Sequence, residues 1–360
     1  LAYHSIENIG IILIGLGFAL VAAGQGHEAW SQLVLAGGLL HVWNHGLFKA
    51  LLFLGAGAVL HTTGTREMSR LGGLWRAMPW TASLFALGAA AISGLPPLNG
   101  FVSEWLVYLG LFEAASAGGG GAAAAAVLAA VLLAMTGAMA LACFIKVCGV
   151  VFLGAPRSAA AARAHETGWL MRAPMLTLAA ACVAIGLAPT VFWPAIARAA
   201  HAWNPTRPSL VAPDSLGTLS LLHVALALVA LGAAVSLVHH ARRNGLRRAV
   251  TWDCGYAAPS PKMQYTAGSF AALITSWFAW ILRPERHAVA PPGAFPAHAA
   301  FAEHTPETVL DRIITPVARV VLQLSTAARR LQHGRVQAYV FYLVAGVAAL
   351  AAIVLTGKPQ

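Results

Sequence analysis

His41, His45 and Lys49 stand four residues apart inside Leu40-His41-Val42-Trp43-Asn44-His45-Gly46-Leu47-Phe48-Lys49-Ala50-Leu51-Leu52-Phe53-Leu54. At helical spacing the three share one side and cover about 12 Å of axis in steps of about 6 Å. Asn44 lies beside the same stripe, while Leu40, Trp43, Leu47, Leu51 and Leu54 occupy the other faces. Histidine gains and loses a proton near neutral pH, and burial can bring a lysine down toward that range. Such a ladder can pass protons through intervening waters. The plainer reading is that these polar groups only tie neighbouring helices together. Snorkelling explains one lysine near a helix end, but not two histidines on the same stripe.

Glu104 is the second candidate, just beyond Ser93-Gly94-Leu95-Pro96-Pro97-Leu98-Asn99-Gly100. Gly94, Pro96, Pro97 and Gly100 should break any helix. Proline removes a donor and clashes with the preceding turn, while glycine lowers the cost of irregular backbone. A break frees backbone groups, and a carboxylate beside it can hold a proton or pair with a lysine. Lys146, in Leu141-Ala142-Cys143-Phe144-Ile145-Lys146-Val147, is read as the outlet of a proton path, a partner of Glu104, or a snorkelling side chain. Glu7 is read either as a partner of the His/Lys stripe or as a residue at the mouth of the first span.

Little else invites chemistry. Cys143, Cys148, Cys182 and Cys254 show no paired metal spacing, and a lone cysteine in Trp252-Asp253-Cys254-Gly255-Tyr256 makes a poor metal site. His201, His287, His298 and His304 have no coherent metal spacing, and His239-His240 sits beside an arginine cluster at a span end, an ordinary interfacial position. The glycines lack the strand–turn–helix context of a phosphate loop. Neither a cofactor nor a metal is expected, nor any catalytic residue.

These residues need elements to hold them, and the composition says which. Of 360 residues, 59% are apolar and only 10% charged, with a mean hydropathy of +0.71. Soluble domains carry about 25% charged residues, so lipid must be the solvent for much of this chain. A net charge of +11 does not indicate nucleic acid, because the basic residues sit in short links between apolar runs.

Apolar runs fall at 5–23, 31–60, 80–113, 122–153, 173–196, 217–240, 267–282 and 336–356. Crossing about 30 Å of hydrocarbon takes about 20 helical residues, and only 267–282 is marginal, as a tilted or re-entrant segment. The run 80–113 is either two short helices or one broken span. The links 61–79, 154–172 and 241–266 are the basic ones, and excess Arg and Lys mark the cytoplasmic side. One broken crossing places all three on the same side; two crossings do not. One discontinuous helix is therefore expected. Residues 283–335 pass through Pro291-Pro292-Gly293 into an amphipathic helix, with Leu310, Ile313, Ile314, Val317, Val320 and Val321 at three- and four-residue spacing.

The expected architecture is an all-α, polytopic transmembrane bundle. Residues 1–196 form the translocation part, 197–282 additional spans, 283–335 an extramembrane linker with an amphipathic helix, and 336–360 the last span and tail. Leu1 opens directly onto a helix, so the sequence is expected to start inside a longer protein.

Several stretches resemble the antiporter-like membrane subunits shared by respiratory complex I and multisubunit cation/proton antiporters. They are Leu1-Ala2-Tyr3-His4-Ser5-Ile6-Glu7-Asn8-Ile9-Gly10, then His41…His45…Lys49-Ala50-Leu51-Leu52-Phe53, and Gly94-Leu95-Pro96-Pro97…Gly100-Phe101. Ile6-Glu7-Asn8, Phe101-Val102-Ser103-Glu104-Trp105, Leu153-Gly154-Ala155-Pro156-Arg157, Thr251-Trp252-Asp253-Cys254-Gly255-Tyr256 and Arg329-Arg330-Leu331-Gln332…Tyr339 resemble the hydrogenase-4 and formate hydrogenlyase branch of that family.

The resemblance implies inverted five-helix bundles, each with a discontinuous helix, around a hydrated polar axis. It places His41, His45 and Lys49 at the His/Lys positions of the second bundle and Glu104 at the outer ionisable position. Many complex I subunits carry lysine at that outer position, so a lysine-to-lysine relay does not transfer unchanged. The chain is expected to begin partway through the second bundle. The implied function is redox-coupled proton translocation, by a non-catalytic subunit of a hydrogenase-4 or formate hydrogenlyase-like complex in a bacterial inner membrane. Its implied partners are other membrane subunits, the lipid bilayer, protons or Na⁺ and, indirectly, hydrogenase-like peripheral subunits. The alternative is a subunit of a cation/proton antiporter or of complex I.

Overall fold

A computed structural model describes the chain except residues 118, 204, 206–209, 246–262, 290–292, 294–299, 330–333 and 357–360. It divides into two compact units, Leu1–Phe270 and Ala271–Gln360.

The first unit is built around one long helix. α1 (Tyr3–Gln25) ends at Gly26, whose φ of 75° lets its amide turn back onto the carbonyls of the last turn. α2 (Glu28–Thr63) follows after two residues and is long enough to cross a membrane with residues to spare. Small residues let its neighbours approach closely, as expected where lipid supplies no hydrophobic drive between helices. A Cβ on Gly15 of α1 would lie 2.8 Å from the Val34 carbonyl of α2.

α3 (Pro79–Ile92) and α4 (Asn99–Ala117) flank the expected break. Their contacts show that they are one crossing. Along α2, Thr62 meets Met78, Gly55 meets Phe85, and Leu51 meets Gly88. Continuing the other way, Asn44 meets Asn99, His41 meets Ser103, Gly37 meets Val107, and Val34 meets Gly110. The broken helix thus lies antiparallel along the whole of α2, its gap opposite the residues that follow Asn44. The gap contains Gly94 at φ +61° and a cis Pro96–Pro97 bond. A Cβ on Gly100 would fall 1.9 Å from the Ala91 carbonyl, so only glycine lets the two halves meet so tightly.

α5 (Gly120–Val151), α6 (Ala159–Ala162), α7 (Trp169–Leu187), α8 (Pro189–Trp203), α9 (Asp214–Asn244) and α10 (Ala267–Trp277) follow. The apolar run 173–196, expected as one span, is two helices divided at Ala188-Pro189. The residue before a proline is pushed out of helical conformation, and Ala188 sits at φ −132°, ψ 55°. Residues 267–282 hold only α10 and, after a turn at Phe278, α11 (Ala279–Leu282). Neither is long enough to span.

The basic links converge on one face. Gly73 and Trp75 donate to the carbonyls of Leu153 and Phe152, and Ser158 donates to that of Arg70. Arg157 donates to the Leu71 and Val150 carbonyls, both at 2.9 Å, and to that of Tyr265 at 2.6 Å. Glu166 takes the Trp80 and Thr81 amides and the Thr81 hydroxyl, capping α3 from another link. Residues from all three links meet here, as a single broken crossing requires. Arg247, Arg248 and Lys262 of the third link lie outside the described residues.

The second unit contains an antiparallel hairpin, β1 (Glu285–Val289) and β2 (Ala300–His304), within the segment expected as an extramembrane linker. Arg286 pairs with Glu303 across it at 3.5 Å. A π-turn at Leu310–Ile314 leads into α12 (Thr315–Arg329), the amphipathic helix, whose Val317, Val320 and Val321 are exposed. α13 (Val336–Thr356) is a further membrane-length helix. Among the described residues, six helices can each cross a membrane, beside the broken α3–α4 pair.

Candidate functional site: a buried polar line between α1, α2 and α4

The stripe on α2 turns inward. His41 is 0% exposed and Lys49 7%, while Val42, Trp43, Phe53 and Leu54 of the same helix face outward. Both nitrogens of His41 are engaged, by different helices. Nδ1 lies 2.9 Å from Ser103 Oγ on α4, and Nε2 lies 3.1 Å from Asn8 Oδ1 on α1. Asn44 donates to the Asn99 carbonyl at 2.7 Å and to Ser103 Oγ at 3.1 Å.

His45 and His41 both present tilted edges to the buried Phe48 ring. Lys49 donates to the Leu1 carbonyl and sits 5.8 Å from the centre of the Phe53 ring. No direct hydrogen bond joins one member of the stripe to the next among the described residues, as steps of about 6 Å require.

Glu104 reaches back into the break. Its carboxylate is so close to Gly94 that a Cβ there would stand 2.7 Å from Oε2. It forms no ion pair with Lys49 or Lys146 among the described residues. Lys146 is half-buried on α5, one turn from Cys143. Glu7 does not reach the stripe. It pairs with His4, whose other nitrogen lies 3.3 Å from Cys143 Sγ. The side chain linking α1 to the stripe is its neighbour Asn8. About 100° of helix rotation separates the two positions, and the register of α1 on α2 selects Asn8.

Several buried polar atoms around the break have no protein partner among the described residues: Asn44 Oδ1, His45 Nε2 and Ser93 Oγ. Buried groups of this kind take water when the protein supplies nothing else. Beyond the gap, Gly186 of α7 packs so closely that a Cβ would lie 2.1 Å from the Pro97 carbonyl. His223 of α9 holds the Gly186 carbonyl at 2.7 Å and rests on Phe101.

Asn8, Ser103 and His223 are absent from the residues singled out in the sequence. For Asn8 a signal exists: a polar residue four after His4, inside an apolar run. Ser103 and His223 become visible only once helix register is known. Thr251–Tyr256 lies outside the described residues. Among the described residues, no three of His, Cys, Asp and Glu gather as metal ligands.

The chain is a polytopic membrane protein whose discontinuous helix and partner helix enclose a line of titratable groups. Residues 1–132 match the family described as NADH:quinone oxidoreductase/Mrp antiporter, TM. Hydrogenase-4 component B of Escherichia coli (strain K12) is 36% identical over 97% of this chain and 54% of its own length. Formate hydrogenlyase subunit 3 of the same organism is 38% identical over 79% of this chain and 46% of its own. The chain spans about half the length of these curated relatives.

Among solved structures, the membrane-bound sulfane sulfur reductase, an archaeal respiratory membrane complex, contains a chain with the same fold. The TM-score is 0.59 at 20% identity, over 97% of this chain and 55% of that one. Over residues 1–132 the chain is similar to the antiporter-like membrane subunits of the complex I type. It is related both to the hydrogenase-4/formate hydrogenlyase proteins and to the Mrp-type antiporters.

Proposed function

We propose that this chain conducts protons as part of a membrane subunit of an antiporter-like complex. The path uses His41, His45 and Lys49, with Glu104 at the break, and Glu7 and Lys146 at its margins. The observation that supports it most directly is His41, fully buried in a lipid-solvated chain and bonded on both sides. Titratable groups in a membrane interior are costly and are kept where they face a polar or wetted core. Gly94, Pro96, Pro97 and Gly100 shape the gap that brings Glu104 to the same core. Residues 1–196 hold all of these groups and form the translocation part.

Two assemblies suit such a chain. A redox-coupled, hydrogenase-4 or formate hydrogenlyase-like complex in a bacterial inner membrane is favoured by the two Escherichia coli relatives. A multisubunit cation/proton antiporter, or complex I, is favoured by the family match, which falls on the residues bearing the stripe and the break. The full-length protein in its complex, reconstituted in vesicles, tests both. Lys49→Met should abolish proton uptake while assembly is intact, and unchanged uptake rejects the path. Uptake driven by a reductant points to a redox assembly, hydrogenase-like or of the complex I type, whereas Na⁺-dependent exchange without one points to the antiporter.

A further inference from the structure

The hydrogen bonds around His41 assign a direction to its chemistry. Asn8 Nδ2 donates to the His4 carbonyl at 2.7 Å, and that group can only accept. The Asn8 amide is thereby oriented, and its Oδ1 must face His41 Nε2, which therefore carries hydrogen whatever the charge of the ring. Asn44 is fixed in the same way. Its Nδ2 donates to the Asn99 carbonyl, another pure acceptor, and to Ser103 Oγ. The one variable position left on His41 is Nδ1, and the atom facing it is Ser103 Oγ.

Ser103 has a single hydroxyl hydrogen and a choice of partners. Its Oγ lies 2.9 Å from His41 Nδ1, 3.0 Å from the Gly100 carbonyl and 3.4 Å from the Asn99 carbonyl. With neutral His41, Nδ1 is a lone pair and the hydroxyl donates to it. With a proton bound at Nδ1, the ring donates to Oγ, and the serine hydrogen must turn to Gly100, where α4 starts. One proton on the ring thus reverses one hydrogen bond and redirects a second onto the rim of the break. The residue after Ser103 is Glu104, whose carboxylate lies against Gly94 on the opposite rim.

We propose that Ser103 is the positioning residue that couples the protonation of His41 to the broken helix, and that Asn8 restricts proton entry to Nδ1. This rests on the conducting role proposed above. The titratable groups on the elements packed around His41 include His45, Lys49 and His61 of α2, Tyr3, His4 and Glu7 of α1, and Glu104, Tyr108 and Glu113 of α4. None of them comes within hydrogen-bond distance of its ring, so the polar contacts of His41 are the serine and the asparagine.

The first measurement leaves Ser103 itself unaltered. In the full-length protein in lipid, ¹⁵N-histidine solid-state NMR, with His41 assigned by the signal lost in His41→Gln, should show a neutral ring with hydrogen on Nε2. A ring with hydrogen on Nδ1 alone overturns the proposal. Asn8→Leu should populate both tautomers, and an unchanged tautomer there also overturns it. In the reconstituted complex, Ser103→Ala should lower proton uptake about tenfold, the scale of one hydrogen bond to a charged group. Ser103→Cys, which retains a weak donor, should recover part of it. If His41→Gln blocks uptake while Ser103→Ala leaves it intact, the coupling is wrong and the conducting role stands. If neither variant matters, the conducting role itself fails.

Discussion

Two carboxylates stand at opposite ends of α3, the first half of the broken helix, and they are treated in opposite ways. Glu166 comes from a link to sit at the start of α3, where both its oxygens are occupied by the Trp80 and Thr81 amides and the Thr81 hydroxyl. Glu104 sits in the second turn of α4 and leans into the gap, with no hydrogen bond or ion pair among the described residues. A carboxylate near a helix N-terminus is stabilised by the helix dipole and, when it caps the amides, by strong charge-assisted bonds. Glu166 uses both effects and is a fastening. Glu104 is half-buried beside irregular backbone and keeps its oxygens free for an exchangeable partner. Under the proposed conducting role, the saturated carboxylate holds structure and the unsaturated one exchanges a proton.

The sharpest way to break this contrast is to close the gap itself. Gly100→Ala places a methyl where the Ala91 carbonyl stands, 1.9 Å away, and backbone cannot yield as a flexible side chain does. The expected cost is about 4 kcal/mol or more, in the range of severe overpacking and strain, and should appear as loss of assembled protein in detergent. Wild-type yield and thermal stability for this variant would mean that the two halves do not meet as described.

The carboxylates themselves come next. Glu104→Gln should reduce proton uptake about a hundredfold, the scale on which a positioned proton-transfer group acts, with assembly unaffected. Glu166→Gln should do the reverse. Uptake per assembled complex stays near wild type, while thermal stability falls by about 1–3 kcal/mol as charge-assisted bonds become neutral ones. If both variants lose uptake to the same degree, the two carboxylates do not divide the work in this way.

The two carboxylates also show how far the sequence could be read. The stripe at 41, 45 and 49 was legible because helical periodicity is local and three ionisable groups on one face are conspicuous among leucines. The break was legible from Pro96-Pro97, and the basic links indicated that it is one crossing. Glu104 followed from its closeness to the break. Contacts between helices were not legible. Asn8, rather than Glu7, meets His41 because of the depth at which α1 lies on α2, and no pattern within α1 states that. The run 173–196 looked continuous because hydropathy is blind to backbone conformation, although Pro189 marked the stop. The pairing of Arg286 with Glu303 in the hairpin depends on residues that are distant in sequence.

The smallest expected effect concerns His223, which stands between the two kinds of behaviour. It is buried, it donates to the Gly186 carbonyl in the last turn of α7, and its Nε2 has no protein partner among the described residues. The carbonyls of a final helical turn have no partner within their own helix, so this bond resembles the Glu166 fastening in purpose. Its free nitrogen resembles the axis, and its ring rests on Phe101, two residues before Ser103. As a fastening, His223→Phe should cost about 1 kcal/mol in thermal stability and leave uptake unchanged. His223→Gln, which keeps a donor, should cost less. If uptake falls in both variants while assembly and stability hold, the ionisable ring and not the bond is what matters. The conducting region would then extend through α7 to α9, and the boundary between fastening and axis would have to be redrawn around Gly186.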